Sequence, residues 1–332
     1  MHKQKKRDLG SCKYCGNPAI IYRRYSGENL CKSCFISKIE KKIYKTISKY
    51  DMINPSDKLI VAFSGGKDSL TLLYNLMRIQ KQTYNSKELI ALTINEGLGT
   101  FRDKSIEMAS KFCQTYQIKH HIIEAKEYLG MTLNEIVSMK ESKNENKNSC
   151  NYCALIRRRL LNIGAKELSG DKLAMGHNLT DVAETFLMNI LFKRFHKIGN
   201  QFFFKNNSDQ INQFFIKKIK PLFRIPETEI ELYSKLKEFN YYPKLCPYRK
   251  SEPLLRKRVL QIINNLKKTS PEIEFNLVNG FLDLSKLLYN NNNQNKSPST
   301  QFCDQCGYPS GEKNICKFCE LKIEIEDFKN KD

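Results

Sequence analysis

The residues best suited to chemistry are one glycine-rich turn and twelve cysteines. The turn reads Ser64-Gly65-Gly66-Lys67-Asp68-Ser69 and follows the apolar run KLIVAF at 58–63. Its glycines let backbone N–H groups turn toward an anion. A helix starting there adds the partial positive charge of its N-terminus. Lys67 and the hydroxyls of Ser64 and Ser69 complete a phosphate cradle. This is not a Walker A loop, which needs glycine where Val61 stands and Ser or Thr where Asp68 stands.

Eight cysteines form two sets of paired CxxC turns. Cys12, Cys15, Cys31 and Cys34 make one set, with 15 residues between the pairs; Cys303, Cys306, Cys316 and Cys319 make the other, with 9. Each set fits a tetrahedral all-sulfur Zn2+ site whose binding supplies folding energy to a short polar segment. Cys113 falls in the helical pattern Ile106, Ala109, Phe112, Cys113, Tyr116 and reads as a core thiol. Cys150 and Cys153 open a helical segment and share one face with Arg157. A helix N-terminus there stabilises both thiolates. Cys246 sits far along the chain in YYPKLCPYR. Three such thiols hold a [4Fe-4S] cluster with one iron open, form a catalytic disulfide pair, or are structural; spacing alone leaves the three open.

These groups need a scaffold. Residues 1–35 read as a zinc finger, and Ile36, Ile39, Ile43, Ile47 and Tyr50 as the stripe of a helix over 36–50. Strands are predicted at 58–63, 88–94, 119–125 and 172–176, with helices at 69–82, 103–117, 152–168 and 180–193. That alternation gives an α/β fold with a parallel sheet covered on both faces. Residues 200–215 read as a loop or hairpin. Helices follow from Pro226 to 239, over 252–268 and over 272–289, which closes a body spanning 36–289. A linker at 290–300, a zinc finger at 301–322 and a charged tail at 323–332 complete the chain.

SGGKDS at a strand–helix junction resembles the PP-loop of the ATP pyrophosphatase superfamily, which cleaves ATP between the α and β phosphates. LAMGHNLTDVAET at 173–185 resembles that superfamily's downstream ATP-site motif. There Gly176 permits close backbone approach, and Asp181 is placed to hold Mg2+ or to neutralise the reacting centre. Thr180 stands where a first aspartate is usual. His177 is either a packed or a catalytic histidine.

Together with the cysteine pattern, the whole chain resembles the tRNA 2-thiouridine synthases. CGYP at 306–309 and CPY at 246–248 look like the tRNA 5-methyluridine-54 sulfurtransferases, toward which the resemblance leans. NEGLGTFRDKS at 95–105 and the arginines at 157–159 look like the related cytoplasmic wobble-uridine thiolases. The resemblance implies an adenine-nucleotide-α-hydrolase-like core and a [4Fe-4S] cluster on Cys150, Cys153 and Cys246. It implies catalytic roles for Asp68 and Asp181, and ATP held by Ser64, Gly65, Gly66, Lys67, Asp68, Ser69, Gly176 and Asp181. Arg157 falls where the position-54 group has a catalytic lysine; arginine keeps the charge but accepts no proton, so a phosphate clamp is the expected role. The implied partners are tRNA, a ubiquitin-like sulfur carrier with a C-terminal thiocarboxylate, and a second copy of the chain. A persulfide on Cys150 resolved by Cys246 is the competing mechanism, and an amidating ligase the competing activity.

The net charge of +21 over 332 residues favours a polyanionic partner. IYRRY at 21–25 and RRRLLN at 157–162 are the candidate RNA contacts, unless Tyr22 and Tyr25 only pack on the zinc finger. No run of 18 apolar residues exists, and MHKQKKRDLG lacks an apolar segment behind its charges, so a cytosolic protein with reduced thiols is expected.

Overall fold

The computed structural model describes residues 9–143, 149–200, 214–248, 254–294 and 301–330. The chain begins with a hairpin, β1 (Ile21–Arg23) and β2 (Glu28–Leu30), and helix α1 (Lys32–Lys49). Then β3 (Leu59–Ala62), α2 (Lys67–Gln82), β4 (Leu89–Asn95), α3 (Thr100–Tyr116) and β5 (Lys119–Glu124) alternate. Next come α4 (Ala125–Leu129), α5 (Leu133–Ser142), α6 (Ser149–Glu167), β6 (Lys172–Ala174), α7 (Leu179–Leu191), α8 (Phe195–Asn200) and β7 (Lys217–Ile219). The chain ends with α9 (Glu227–Leu236), α10 (Leu254–Thr269), α11 (Ile273–Gln294), the hairpin β8 (Gln301–Phe302) and β9 (Pro309–Gly311), and α12 (Lys317–Lys329).

The central sheet has five strands in the order β5-β4-β3-β6-β7, all parallel. Its pleat explains why KLIVAF and ELIALTI are apolar throughout: alternate residues enter different cores. Leu59, Val61, Phe63, Leu89 and Ala91 join one core, built with α1, α2 and α9–α11. Ile60, Ile90, Leu92 and Ile94 join the other, with α5, α6 and α12. No helix among the described residues is long and apolar enough to cross a membrane.

Several elements differ from the sequence expectation. The fifth strand, β7, is short and buries only Ile219, so it shows no period; pairing with β6 makes it a strand. Helices α4 and α5 were not expected; α5 is set by a capping box between Thr132 and Glu135. Pro226 is the N-cap of α9 rather than its first residue, and that helix ends at Leu236. Helix α11 runs to Gln294 into the expected linker, whose residues 295–300 lie outside the described ones, as do 201–213 of the expected 200–215 loop. The expected charged tail is helical as far as Lys329. Phe318, Leu321 and Ile325 form a buried stripe on α12, while Glu324 pairs with the buried Lys140 at 2.5 Å and Lys329 donates to the Gly130 carbonyl.

Neither cysteine module is a detached finger. Cys12, Leu30, Cys31 and Phe35 belong to the first core, and Cys303, Cys316 and Cys319 to the second.

Candidate active site

The glycine turn caps α2 as its composition predicts. Gly66 is the N-cap, and Gly65 has φ +77, where a Cβ would lie 2.8 Å from the Ser105 carbonyl oxygen. Gly176 meets this turn from β6: a Cβ there would lie 3.4 Å from the Asp68 carbonyl carbon and the Ser69 nitrogen. Both motifs therefore form one wall. Ser64 and Ser69 approach to 3.2 Å between hydroxyls, and Ser69 donates to the Gly66 carbonyl.

Asn178 brackets the two expected catalytic aspartates. Its amide donates to Asp68 Oδ1 at 3.0 Å, its Oδ1 accepts from the Asp181 N–H, and its own N–H donates to Asp181 Oδ2. This is the capping box of α7, so the helix start and the site geometry are the same set of bonds. Burial raises the Asp181 carboxyl above its ordinary range, aided by the nearby charges of Asp68 and Glu227, against the Asn178 bond and Arg256. Lys67 reaches Glu227 at 2.7 Å and Asp68 at 3.1 Å. Burial opposes its charge, but those carboxylates hold it above the ordinary lysine range. Thr180, where a first aspartate is usual, is structural: it donates to Glu274 and accepts from the Glu227 N–H.

A cavity of about 240 Å³ opens from this wall. Ser64, Asp68 and Gly176 line it together with Glu96, Arg102 and Arg157. Glu96 is fully buried and bridges both arginines, with Arg102 Nε 3.0 Å from its Oε2 and Arg157 Nε on its Oε1. Arg102 also donates to the carbonyls of Ile94 and Ser64, so the network is fastened to the turn itself. Burial disfavours the Arg157 cation, yet Glu96 and then Cys153 hold it above the ordinary range. His177 also lines the cavity; crowding at the cavity wall, then the cations Lys220, Arg256 and Arg158, lower its proton affinity, although its side chain stays open to solvent.

Cys150 lies in the first turn of α6, Cys153 one turn before Arg157. Cys246 and Cys150 both act electrostatically on Cys153, and Cys246 acts on Arg157. The trio and the cavity's arginine wall are therefore neighbours. The expected thiolate stabilisation fails at Cys153: burial outweighs Arg157 and pushes it up to about 11, helped by Glu96 and the other two thiols. Cys113 is buried, with burial raising it to about 12, as a core thiol should be.

The two four-cysteine sets are compact. Within each, all four sulfurs lie within 4.8 Å of one another. Cys15 and Cys31 approach to 3.4 Å, Cys34 and Cys15 to 3.6 Å, and Cys306 and Cys316 to 3.8 Å. A tetrahedron with metal–sulfur arms of about 2.3 Å has edges of about 3.8 Å, so both sets fit one ion each. Among the described residues no such set contains Cys150, Cys153 and Cys246. Arg157 and Arg102 bring positive charge to Cys153.

The expected RNA contacts are mostly locks. Arg23 is buried and pairs with Glu229 at 2.8 Å; Tyr25 donates to Glu229 at 2.7 Å; Arg24 donates to the Lys268 carbonyl. Arg159 lies 3.4 Å over the Tyr308 ring and donates to Cys306 Sγ. Tyr22 stays exposed. Sequence reasoning missed Asn178, Glu96, Arg102, Glu227 and Arg256. Asn178 had a readable signal, a capping residue three before Asp181; the others meet only through long-range contacts.

Comparison with known proteins agrees with this geometry. Residues 36–246 match the PP-loop domain, and residues 11–36 the N-terminal LIM domain of 2-thiouridine synthetase TtuA. A probable sulfurtransferase of Methanocaldococcus jannaschii is 35% identical over 97% of this chain and 90% of its own length. The tRNA-5-methyluridine(54) 2-sulfurtransferase of Pyrococcus horikoshii is 32% identical over 95% of each. The solved U34-tRNA thiolase NcsA of Methanococcus maripaludis, with its [4Fe-4S] cluster, superposes with a TM-score of 0.76 at 34% identity, covering 96% of both chains. The chain belongs to the PP-loop family of tRNA 2-thiolation proteins and sulfurtransferases.

Proposed function

We propose that this protein uses ATP to activate the O2 of a tRNA uridine and replaces that oxygen with sulfur, giving 2-thiouridine. One observation carries the reading: a single cavity joins the phosphate-binding turn to Arg157, one helical turn from the Cys150–Cys153 face. Uracil O2 is a poor leaving group. Attack of O2 on the α-phosphorus releases pyrophosphate and makes AMP the leaving group; sulfur addition at C2 then expels AMP. The N–H groups of the turn and Lys67 hold the phosphates. Asp68 and Asp181, fixed by Asn178, offer carboxylates to Mg2+ arriving with ATP. Arg157, held by Glu96, clamps phosphate and moves no proton. Cys150, Cys153 and Cys246 would hold a [4Fe-4S] cluster, which would supply Lewis-acid iron chemistry for binding sulfur. Zn2+ fills the two four-cysteine sets.

The finer expectations follow the family: sulfur from a ubiquitin-like carrier, a homodimer, a cytoplasmic location. As to which uridine, CGYP and CPY favour position 54. The wobble uridine is the second reading, carried by sequence likeness. Glu96, Arg102 and Arg157, which belong to the two segments resembling wobble thiolases, form one interlocked ion network at the cavity.

The test is pyrophosphate release from ATP by anaerobically prepared protein, with tRNA and sulfide added. Stimulation by tRNA and a 2-thiouridine nucleoside by mass spectrometry are expected, and mapping the nucleoside separates positions 54 and 34. Release without tRNA dependence points to a ligase and sinks the reading. Full activity in iron-free protein shows that sulfide adds to the activated C2 without a cluster, and it sinks the cluster.

A further inference from the structure

The segments that the sequence offered as RNA contacts are largely consumed in structural bonds, yet a basic surface lies elsewhere. A cavity of about 660 Å³ on the N-terminal module is lined by Arg23, Lys38, Lys41, Lys42 and Lys45 with Tyr14 at its rim. Of its lining residues none is acidic, and none is Leu, Ile, Val, Phe or Met. Lys41 and Lys45 also line a neighbouring cavity of about 400 Å³, with Tyr44 and with Arg78, which pairs with Glu40.

Helical geometry explains the concentration. Lys38, Lys41, Lys42 and Lys45 recur at i, i+3, i+4 and i+7 on α1, beside the buried stripe of Phe35, Ile39, Ile43 and Ile47. Seven residues of helix span about 10 Å, the reach of a few consecutive phosphates. Among the described residues Lys41 and Lys45 show no ion pair. Lys38 does pair with Glu28 at 3.0 Å and lies 3.9 Å over Tyr14. Lys42 sits 4.6 Å over the Phe275 ring, and burial brings it down to about 8. Tyr14 and Tyr44 are 52% and 59% exposed, which leaves ring faces available beside the cations.

We infer that this lysine face of α1 grips the phosphate backbone of the RNA substrate at a distance from the reacting uridine. The inference rests on the tRNA reading above. Arg78, at the far end of the surface, lies eleven residues along α2 from Lys67, or about 16 Å of helix. The face therefore positions the RNA and leaves base recognition to the cavity. A protein partner fits less well, because stable protein interfaces centre on large apolar side chains, and no Leu, Ile, Val, Phe or Met lines this groove.

The test uses the full chain and its tRNA in binding titrations across salt concentration. Lys41→Ala/Lys45→Ala removes two exposed cations outside the catalytic machinery. Affinity at 0.1 M salt falls on the order of tenfold or more, and the slope of log K against log salt drops by about 2. Thiolation loses through KM for tRNA, with kcat unchanged at saturating tRNA. Lys41→Arg/Lys45→Arg restores binding, and Lys104→Ala/Lys166→Ala, two other exposed lysines, leaves it unchanged. Wild-type affinity and salt slope in the alanine variant overturn the inference, as does equal loss in the control pair. Intact tRNA binding with lost binding of an acidic sulfur-carrier protein assigns the face to a protein and also overturns it. Failure of the wild-type chain to bind tRNA at all overturns the functional reading instead.

Discussion

Glu96 is the residue whose removal probes the site most sharply. It is fully buried, with Arg102, 4% exposed, on one carboxylate oxygen and Arg157 on the other. Glu96→Gln keeps the shape and one acceptor but deletes the charge. Two guanidiniums then face each other across a neutral amide, one of them with almost no access to water. Breaking a buried ion pair by removing one partner costs about 3–5 kcal/mol. The retained amide hydrogen bond and the partial exposure of Arg157 place the expected loss near the lower end, about 3 kcal/mol, read from urea unfolding at pH 7. Because Arg102 also donates to the Ser64 carbonyl, the phosphate turn loosens too. A misplacement of this kind costs on the order of 10- to 100-fold in kcat/KM for ATP. Arg157→Met in the Glu96→Gln background removes the repulsion and recovers at least 1 kcal/mol of stability, a coupling visible in a double-mutant cycle. Wild-type stability in Glu96→Gln would refute the charge bridge. Lost stability with unchanged ATP kinetics would refute its link to the turn.

Three further outcomes follow from the same geometry. Asn178→Ala removes the cap of α7 and the bond to Asp68; it costs about 1–2 kcal/mol in unfolding and weakens tRNA-stimulated pyrophosphate release. His120 is brought down to about 4 by burial, with Thr93 and Ser110 on its ring nitrogens. The unfolded chain therefore takes up that proton first on acidification, and stability is lost as pH falls from about 6.5 toward 4. The loss is about 2 kcal/mol by pH 5, and His120→Gln abolishes this share of the urea-midpoint shift. Chelation of the C-terminal site releases α12 and raises hydrogen exchange along α6, because Arg159 of α6 is anchored to Cys306; unchanged α6 protection contradicts that anchor.

What was legible in the residues was local. The turn at 64–69 and the CxxC pairs declare themselves because a few adjacent residues carry the chemistry, and the buried strands because their apolar runs have no alternative reading. The Glu96 network was invisible: its partner Arg157 lies 61 positions away, and only the sheet brings them together. In α12 the high Lys and Glu density hid the stripe of Phe318, Leu321 and Ile325, so one docked helix read as the end of a zinc finger and, from 323, a charged tail. IYRRY failed differently. Arginine and tyrosine suit RNA, but they equally suit a buried carboxylate, and Glu229 was 204 residues distant from Tyr25.

The two metal modules thereby acquire a common role that their sequence did not suggest. Four thiolates on one divalent ion leave a net negative group, and α6 presents Arg159 to it between Tyr308 and Phe318. The same helix carries Cys150, Cys153 and Arg157. At the other end, the N-terminal module is fastened through Arg23 and Tyr25 to Glu229 of α9, the helix that begins with Glu227, the partner of Lys67. One module thus holds α6, which lines the cavity through Arg157 and Leu161, and the other holds α9, whose Glu227 fixes Lys67 of the phosphate turn. A metal-free chain should keep its sheet, since neither module contributes a strand to it, yet lose the spacing between the phosphate turn and Cys150 and Cys153 of α6. That spacing is what a single nucleotide must bridge for adenylation and sulfur transfer to occur at one uridine.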